Sequence, residues 1–550
     1  MGTTAAKGAW HELVPGPQPS SEETRKFRAQ IGRISRHSLV FFVGTVFTAI
    51  AGYLFKIYLA RLLGAEALGL YALGMTIVGL VGVFNVLGLP QSAVRFVATY
   101  VASGRWRQLG GFLARGSAIL LVLNLLLAAL MLVTGPRIAV YFYRAPALVR
   151  YIPLFALIML FGALTNFLAQ VLAGYKDVSR RTVVTNFVAT PVTIALSVLL
   201  IAAGTGLWGY ILAQVVSGAV VLGLLAALVW KMTPLAARIS FADSPRLEPQ
   251  VVSFSTVVLA LGFLDFLMSQ ADKILIGFLL DPRSVGVYAV AATLVAFVPI
   301  LLQSVNQIFA PTVADLHARG ELELLGRMFQ TLTKWILGLT LPLAGVVIVF
   351  AHPLMSIFGR DFQSGWPILV IGTLGQLVNC GVGSVGYLLL MSGNQRRLVR
   401  VQVISAALMV GLNLALIPHW GIVGAAVAAA LTTAGGNILN LREVRSALGL
   451  SPYNRSYARL LPPLLATLVV SALLRPVLMD LNAPWVAIAV ALPLAYLVFV
   501  AVTWVGGLDA DDRLIARAAW GRVQAMLPRK ARHSREGAEH QWWSSSSESN

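Results

Sequence analysis

The chain has little charge, little acid and almost no cysteine. Only 12% of its 550 residues are Asp, Glu, Lys or Arg, and there are 22 acidic residues against 42 Lys and Arg. Cys380 is the single cysteine and lies in an apolar stretch, so an internal disulfide is excluded and a small buried side chain is predicted.

Motifs for chemistry are also missing. No G-x-x-x-x-G-K-[ST] loop is present, which excludes ATP hydrolysis by this chain as a driving force. No His/Cys cluster has the spacing of metal ligands, and no nucleophile–base motif occurs. We therefore expect no metal, no cofactor and no enzymatic activity.

Apolar residues dominate what is present. They make up 58% of the chain, and the mean hydropathy is +0.79. Because about 20 apolar residues span a bilayer as a helix, the sequence predicts an all-α polytopic membrane protein with about fourteen transmembrane helices. The predicted segments are 37–58, 67–90, 109–134, 150–173, 182–203, 207–230, 251–280, 284–310, 333–357, 364–391, 399–417, 421–441, 457–475 and 484–505.

The net charge of +20 predicts topology rather than binding of nucleic acid. Most Lys and Arg residues fall in alternate loops and in the two tails, as the positive-inside rule describes for cytoplasmic loops. No cleavable signal peptide is evident ahead of the first apolar segment. We therefore expect a multi-pass protein of the cytoplasmic membrane with both termini in the cytoplasm.

Two apolar stretches of the chain match each other. Residues 56–81 and 273–298, laid over one another without a gap, are identical at Lys56/Lys273, Ile57/Ile274, Leu62/Leu279, Leu63/Leu280, Gly69/Gly286, Tyr71/Tyr288, Ala72/Ala289, Thr76/Thr293, Val78/Val295 and Val81/Val298. Such a repeat in a membrane chain predicts two similar helical lobes beside a transport pathway.

The repeat predicts the organisation of the chain. Two parallel six-helix lobes are expected at 37–230 and 251–441, joined by a cytoplasmic linker at 231–250. An additional helix pair follows at 442–507. The tails at 1–36 and 508–550 are expected in the cytoplasm, the second being basic and Ser-rich.

Motifs in and beside this repeat resemble those of a known family. They are Leu59-Ala-Arg-Leu-Leu-Gly64 with Gly69-Leu-Tyr71, Leu87-Gly-Leu-Pro90 with Arg95-Phe, and Asp272-Lys-Ile-Leu-Ile-Gly277 with Val285-Gly-Val-Tyr288. The chain resembles the Wzx-type oligosaccharide-lipid flippases of polysaccharide biosynthesis, which belong to the MOP superfamily with the lipid II flippases and MATE exporters. This resemblance implies two bundles around a V-shaped cavity and a polyprenyl-diphosphate-linked oligosaccharide as substrate. It also implies membrane lipids and the polymerase and glycosyltransferase machinery as partners.

Lys56 and Lys273 are the first candidate site residues. A charge inside the bilayer costs at least about 2.5–3.5 kcal/mol, so such residues usually face a wet cavity or a partner. Two ammonium groups at matching positions would suit a diphosphate. The alternative is that both lysines snorkel to the outer headgroups.

Two acidic residues and one polar stripe are the remaining candidates. Asp265 and Asp272, two turns apart on one helix, are candidates for binding a coupling ion, although Asp272 could instead pair with a nearby Lys or Arg. Gln303, Asn306 and Gln307 form one polar stripe that could contact sugars, or could form interhelical hydrogen bonds. Pro191, Pro299 and Pro342 are predicted to interrupt their helices.

Three other functions are alternatives to the flippase, and the enzyme is the least favoured because the longest predicted outer loop is only about 135–149. A MATE-like, ion-coupled exporter of organic cations would need a net acidic cavity, and a lipid II flippase would share the diphosphate. A membrane-embedded glycan polymerase or ligase would need a large outer loop carrying catalytic residues.

Overall fold

A computed structural model describes residues 21–239, 249–479 and 484–505. Within these ranges every regular element is helical. The α-helices are α1 Ser21–Asn85, α2 Leu89–Ala102, α3 Trp106–Arg137, α4 Ile152–Gly174, α5 Val178–Thr182, α6 Ala189–Ala202, α7 Gly206–Met232, α8 Leu235–Ile239, α9 Pro249–Leu279, α10 Pro282–Val295, α11 Ile300–Ala318, α12 Leu322–Val349, α13 Ala351–Ser356, α14 Trp366–Val382, α15 Val385–Met391, α16 Gln395–Leu448, α17 Leu461–Met479 and α18 Pro484–Val505. Short 3₁₀ or π-helical turns lie at Ile138–Phe142, Pro146–Tyr151, Val183–Val188, Arg360–Gly365 and Arg455–Leu460.

The apolar helices are long enough to cross a bilayer several times. In the described part of the chain, ten helices qualify by length and hydropathy, or eleven when the bent pair α10 and α11 is counted as one span. The all-α, multi-pass membrane fold is therefore confirmed, whereas the number fourteen stays a prediction. Two of these helices each contain two predicted segments joined at a kink with a non-helical residue, Gly64 in α1 and Gly421 in α16.

The chain forms two compact units. The first comprises the described residues of Met1–Phe55, Asn85–Ala128 and Leu157–Val258. The second comprises those of Lys56–Phe84, Ala129–Ala156 and Leu259–Asn550. The partition into lobes at 37–230 and 251–441, with a pair at 442–507, stays a prediction, and the predicted tails lie partly or wholly outside the described residues.

The first unit has an aromatic core. Tyr100, Phe112 and Phe167 are buried and their rings pack in sequence, with centroids 6.5 Å and 5.9 Å apart. The hydroxyls of Ser92 and Ser255 lie 2.8 Å apart and satisfy each other. A buried polar group needs such a partner because desolvation is costly.

The second unit is organised around α12. This helix packs against α14, α17 and α18, so the last two described helices cover the face of α12 rather than standing alone. Small side chains at Ala487, Ala491 and Ala495 recur every four residues on α18 and are buried. Such spacing lets membrane helices approach closely.

The prolines behave differently from one another. Pro299 lies at the break between α10 and α11, which are bent by 52°, as predicted. Pro191 lies in the first turn of α6, directly after the π-helical turn Val183–Val188. The predicted interruption at Pro342 is wrong, because α12 runs unbroken from Leu322 to Val349. Membrane helices tolerate a single missing N–H when neighbouring groups satisfy the freed carbonyl.

Candidate functional site

The two copies of the repeat meet in the second unit at a pair of equivalent glycines. A Cβ added to Gly69 would lie 1.6 Å from the carbonyl oxygen of Pro282, and one added to Gly286 would lie 1.9 Å from that of Ala65. Ala65 and Pro282 occupy matching positions of the repeat, as do Gly69 and Gly286. The contact is therefore reciprocal, like an isologous interface, and it requires that backbone approach backbone.

The lysines of the two copies lie near each other in this unit. Lys56 is on α1, Lys273 is on α9, and both side chains are half-buried. Their ammonium groups are close enough for their like charges to interact. The predicted pair is thus brought together, on helices adjoining the reciprocal glycine contact.

The surroundings of the two ammonium groups differ. Lys56 Nζ donates a hydrogen bond to Thr293 Oγ1 of the other copy. Lys273 Nζ instead donates to Gln270 Oε1 at 3.0 Å and to the carbonyl oxygen of Ser269 at 3.5 Å, both on its own helix. Thr76, which matches Thr293, is buried and hydrogen-bonds the hydroxyl of Tyr143 at 3.0 Å.

Asp272 is more enclosed than Asp265. The Asp272 side chain is in a residue only 7% exposed, accepts a hydrogen bond from the backbone N–H of Lys273 at 2.7 Å and hydrogen-bonds the buried Tyr288 side chain. Within the described part of the chain Asp272 makes no ion pair with Lys or Arg, and its side-chain partner is Tyr288. Asp265, two turns earlier on α9, is exposed.

The polar stripe lies on α11, just after the break at Pro299. Gln303 and Gln307 are exposed, whereas Asn306 is buried. The Asn306 Oδ1 atom has no hydrogen-bond partner among the described residues. No hydrogen bond in the described ranges joins this stripe to either lysine, so the structure groups the lysines with each other and not with the stripe.

Sequence reasoning missed four polar neighbours. Thr293 and Tyr288 are identical to Thr76 and Tyr71 at the matching positions of the repeat, and this identity could have identified them as candidates. Gln270 precedes Lys273 by one helical turn and could have been found by that spacing. Tyr143 lies far from the repeat in sequence and offered no local signal.

The chain is similar in sequence to proteins of polysaccharide and glycan biosynthesis. A family model described as polysaccharide biosynthesis protein matches residues 58–365. Two proteins of Haloferax volcanii are similar: a probable flippase, AglR, 29% identical over 35% of this chain and 42% of its own length, and a probable low-salt glycan biosynthesis flippase, Agl15, 28% identical over 41% and 48%. The chain thus matches about half the length of these relatives.

Solved structures show the fold. The lipid II flippase MurJ, in an inward closed conformation, superposes with a TM-score of 0.67 at 14% identity, over 85% of this chain and 98% of that one. A multidrug resistance MATE family transporter of the MOP superfamily, in an inward-facing conformation, gives 0.61 at 14% identity, over 73% and 94%. At this identity the likeness establishes the fold and not the substrate.

Proposed function

The chain belongs to the family of polysaccharide biosynthesis proteins, and from this premise we propose that it is a flippase. In this proposal a polyprenyl-diphosphate-linked oligosaccharide moves from the cytoplasmic to the outer leaflet of the cytoplasmic membrane by alternating access. The names of the two similar archaeal proteins, both probable flippases, support the activity. The fold shared with transporters of the MOP superfamily is compatible with it.

The observation that carries the proposal is the pair of neighbouring ammonium groups. Two like charges in an apolar unit repel each other, and within the described ranges their hydrogen-bond partners are Thr293, Gln270 and the backbone carbonyl of Ser269. A diphosphate between Lys56 and Lys273 would replace repulsion with two charge-assisted contacts. The lipid tail would stay in the bilayer beside the protein.

The stripe on α11 is our candidate for contacts with the sugars. The unpartnered Oδ1 atom of buried Asn306 needs a donor, and a sugar hydroxyl supplies one. Gln303 and Gln307, both exposed on the same helix, would add amide donors and acceptors.

Ion coupling through Asp265 or Asp272 is part of the proposal. The Asp272 carboxylate is buried and hydrogen-bonded to Tyr288, and ionisable residues inside membrane helices often mark ion pathways. We expect Asp272→Asn to remove the dependence of transport on a pH gradient while Asp265→Asn leaves it. Equal dependence in wild type and both variants would refute coupling at these residues.

The charge of the site argues against export of organic cations. The paired lysines supply the positive charge there, and the Asp272 carboxylate is buried and bonded to Tyr288. A lipid II substrate would share the diphosphate, so the lysines do not distinguish it. We assign no enzymatic step to the chain.

The proposed cytoplasmic location of both termini can be tested by labelling single introduced cysteines. Cys380 is buried, so a Cys380→Ser background leaves a single introduced cysteine to report accessibility. We expect an impermeant maleimide to label Arg360→Cys on spheroplasts, and to label Arg396→Cys only on inverted membrane vesicles. The reverse pattern would invert the proposed topology.

Transport in proteoliposomes tests the function. The purified full chain is reconstituted with a fluorescent polyprenyl-diphosphate oligosaccharide, and movement between leaflets is followed by its exposure to an impermeant quencher. A monophosphate-linked analogue and a cationic dye run in parallel. Movement of the diphosphate substrate alone is expected; movement of the dye without the glycolipid would favour an exporter and refute the flippase.

A further inference from the structure

A second basic site lies away from the paired lysines, between the two arms of α16. Residues 395–420 and 422–448 fold back on each other at Gly421, whose φ of 56° suits glycine. Contacts along the arms are antiparallel: Arg397 Nη1 donates to Glu443 Oε2 at 2.9 Å, and a Cβ on Gly436 would lie 2.7 Å from Ser405 Oγ. The arms therefore end side by side.

A pocket of about 400 Å³ opens at these ends. It is lined by Arg397, Arg400, Val401, Ile404, Leu439, Arg442, Glu443 and Ser446. Three arginines and one glutamate leave a net positive charge, which an anion would neutralise.

The charge of the pocket is only partly compensated by the protein. Arg397 is engaged by Glu443 and by Ser446 Oγ at 3.3 Å. Arg400 and Arg442 are exposed and have no ion-pair partner among the described residues. Each can present a planar guanidinium fork, which matches the oxygens of a phosphate.

The rest of the pocket wall is apolar and continues along the arms. Ile404 is 46% exposed, and Leu408, one turn further, is 38% exposed. Leu408 Cδ2 would lie 3.8 Å from a Cβ on Gly435 of the other arm, so a shallow apolar strip runs between the arms beyond the arginines. A free phosphate would use only the charged end, whereas a phospholipid would use both.

We propose that this pocket binds the phosphate headgroup of an anionic membrane phospholipid, with its acyl chains along the strip formed by Ile404, Leu408 and Gly435. Basic pockets between helices at the cytoplasmic side of a membrane are suited to such headgroups. The bound lipid would brace the two arms of α16. This site is separate from Lys56 and Lys273 and does not depend on the glycan substrate.

Retention of lipid by the purified full chain tests the proposal. The protein in nanodiscs of equal phosphatidylglycerol and phosphatidylcholine is extracted into mild detergent, and the retained lipids are counted by native mass spectrometry. The test variant is Arg400→Gln/Arg442→Gln. The control, Lys231→Gln/Arg396→Gln, removes two exposed charges from the same predicted side outside the pocket. Because each basic residue near an anionic surface adds about fivefold, the test variant should lose about twenty-fivefold in preference for phosphatidylglycerol.

Two further measurements distinguish a lipid headgroup from a soluble anion, and the charge of the arginines from their planar geometry. Inorganic phosphate at millimolar concentration should not displace the retained lipid, and Arg400→Lys/Arg442→Lys should recover part of the preference. Equal retention of both lipids by wild type, or equal loss in test and control variants, would overturn the proposal. Full displacement by inorganic phosphate would also overturn it, because the ligand would then be a soluble anion.

Discussion

The two copies of the repeat, residues 56–81 and 273–298, share a reciprocal contact but not a polar environment. Their equivalent glycines, Gly69 and Gly286, contact the other copy reciprocally. The residues before the lysines differ: Gly52, Tyr53 and Phe55 precede Lys56, whereas Ser269, Gln270 and Asp272 stand at the matching places before Lys273.

That difference explains why the lysines make different contacts. Gln270 gives Lys273 an acceptor on its own helix, but Tyr53 at the matching place has no amide, so Lys56 reaches Thr293 of the other copy. The first copy's Thr76 is already bonded to Tyr143. A repeated sequence can thus keep two lysines near each other while each ammonium group has different hydrogen-bond partners.

The turn in each copy is also built differently. Gly64 has a φ of 79°, which an L-residue rarely adopts. The matching Asp281 is extended, accepts a hydrogen bond from Ser284 N at 2.9 Å and precedes Pro282 at the start of α10. One copy depends on glycine and the other on an N-cap.

The largest effect is expected at the reciprocal contact. Gly69→Ala or Gly286→Ala places a methyl group against a backbone carbonyl and should destabilise the fold by about 3 kcal/mol, with a fall in thermal unfolding temperature in detergent. Gly52→Ala is the control, because nothing lies within 4 Å of its Cβ and Ala favours helix. Equal melting of Gly69→Ala and Gly52→Ala would contradict the close approach of the copies.

An intermediate effect is expected at the two turns. Gly64→Ala must adopt a φ of 79° with a ψ of 177°, a region essentially restricted to glycine, and should cost about 1–3 kcal/mol. Asp281→Ala loses a cap and should cost about 1 kcal/mol. Melting curves of the two variants should therefore rank Gly64→Ala below Asp281→Ala, and the opposite order would mean that the first turn is not strained as described.

The smallest effect, and the most discriminating, separates the two threonines. Thr76→Val leaves the buried Tyr143 hydroxyl short of a partner and should lower stability by about 1 kcal/mol with little change in substrate affinity. Thr293→Val frees Lys56 and should change substrate affinity a few-fold with little change in melting. If both variants changed the same quantity, the copies would not be differentiated as proposed.

Much of the fold could be predicted from the sequence, because long apolar runs indicate membrane-spanning helices. The all-α class and the break at Pro299 were predictable from apolar runs and one residue type. The breaks at Gly64 and Gly421 could not be separated from loops, because helix continues on both sides. The interruption predicted at Pro342 was wrong, because a proline within a membrane helix need not break that helix.

The site was predictable only in part. The repeat register identified Lys56 and Lys273, and the structure brings them together. Their partners could not be predicted, because Tyr143 and Thr293 come from distant parts of the chain and tertiary packing alone selects them. The roles of Lys56, Lys273, Asp265, Asp272 and the α11 stripe in transport all stay predictions.

The most direct test compares glycolipid translocation by Lys56→Ala, Lys273→Ala and the double variant in proteoliposomes. Lys56→Arg/Lys273→Arg keeps the charge, and Lys231→Ala/Arg396→Ala removes two charges elsewhere. A charge-assisted contact contributes about 1.5–3 kcal/mol, so each single variant should bind the substrate at least about tenfold more weakly and the double variant about a hundredfold or more. Translocation by the double variant equal to that of the charge control would contradict the account and return both lysines to the role of headgroup anchors.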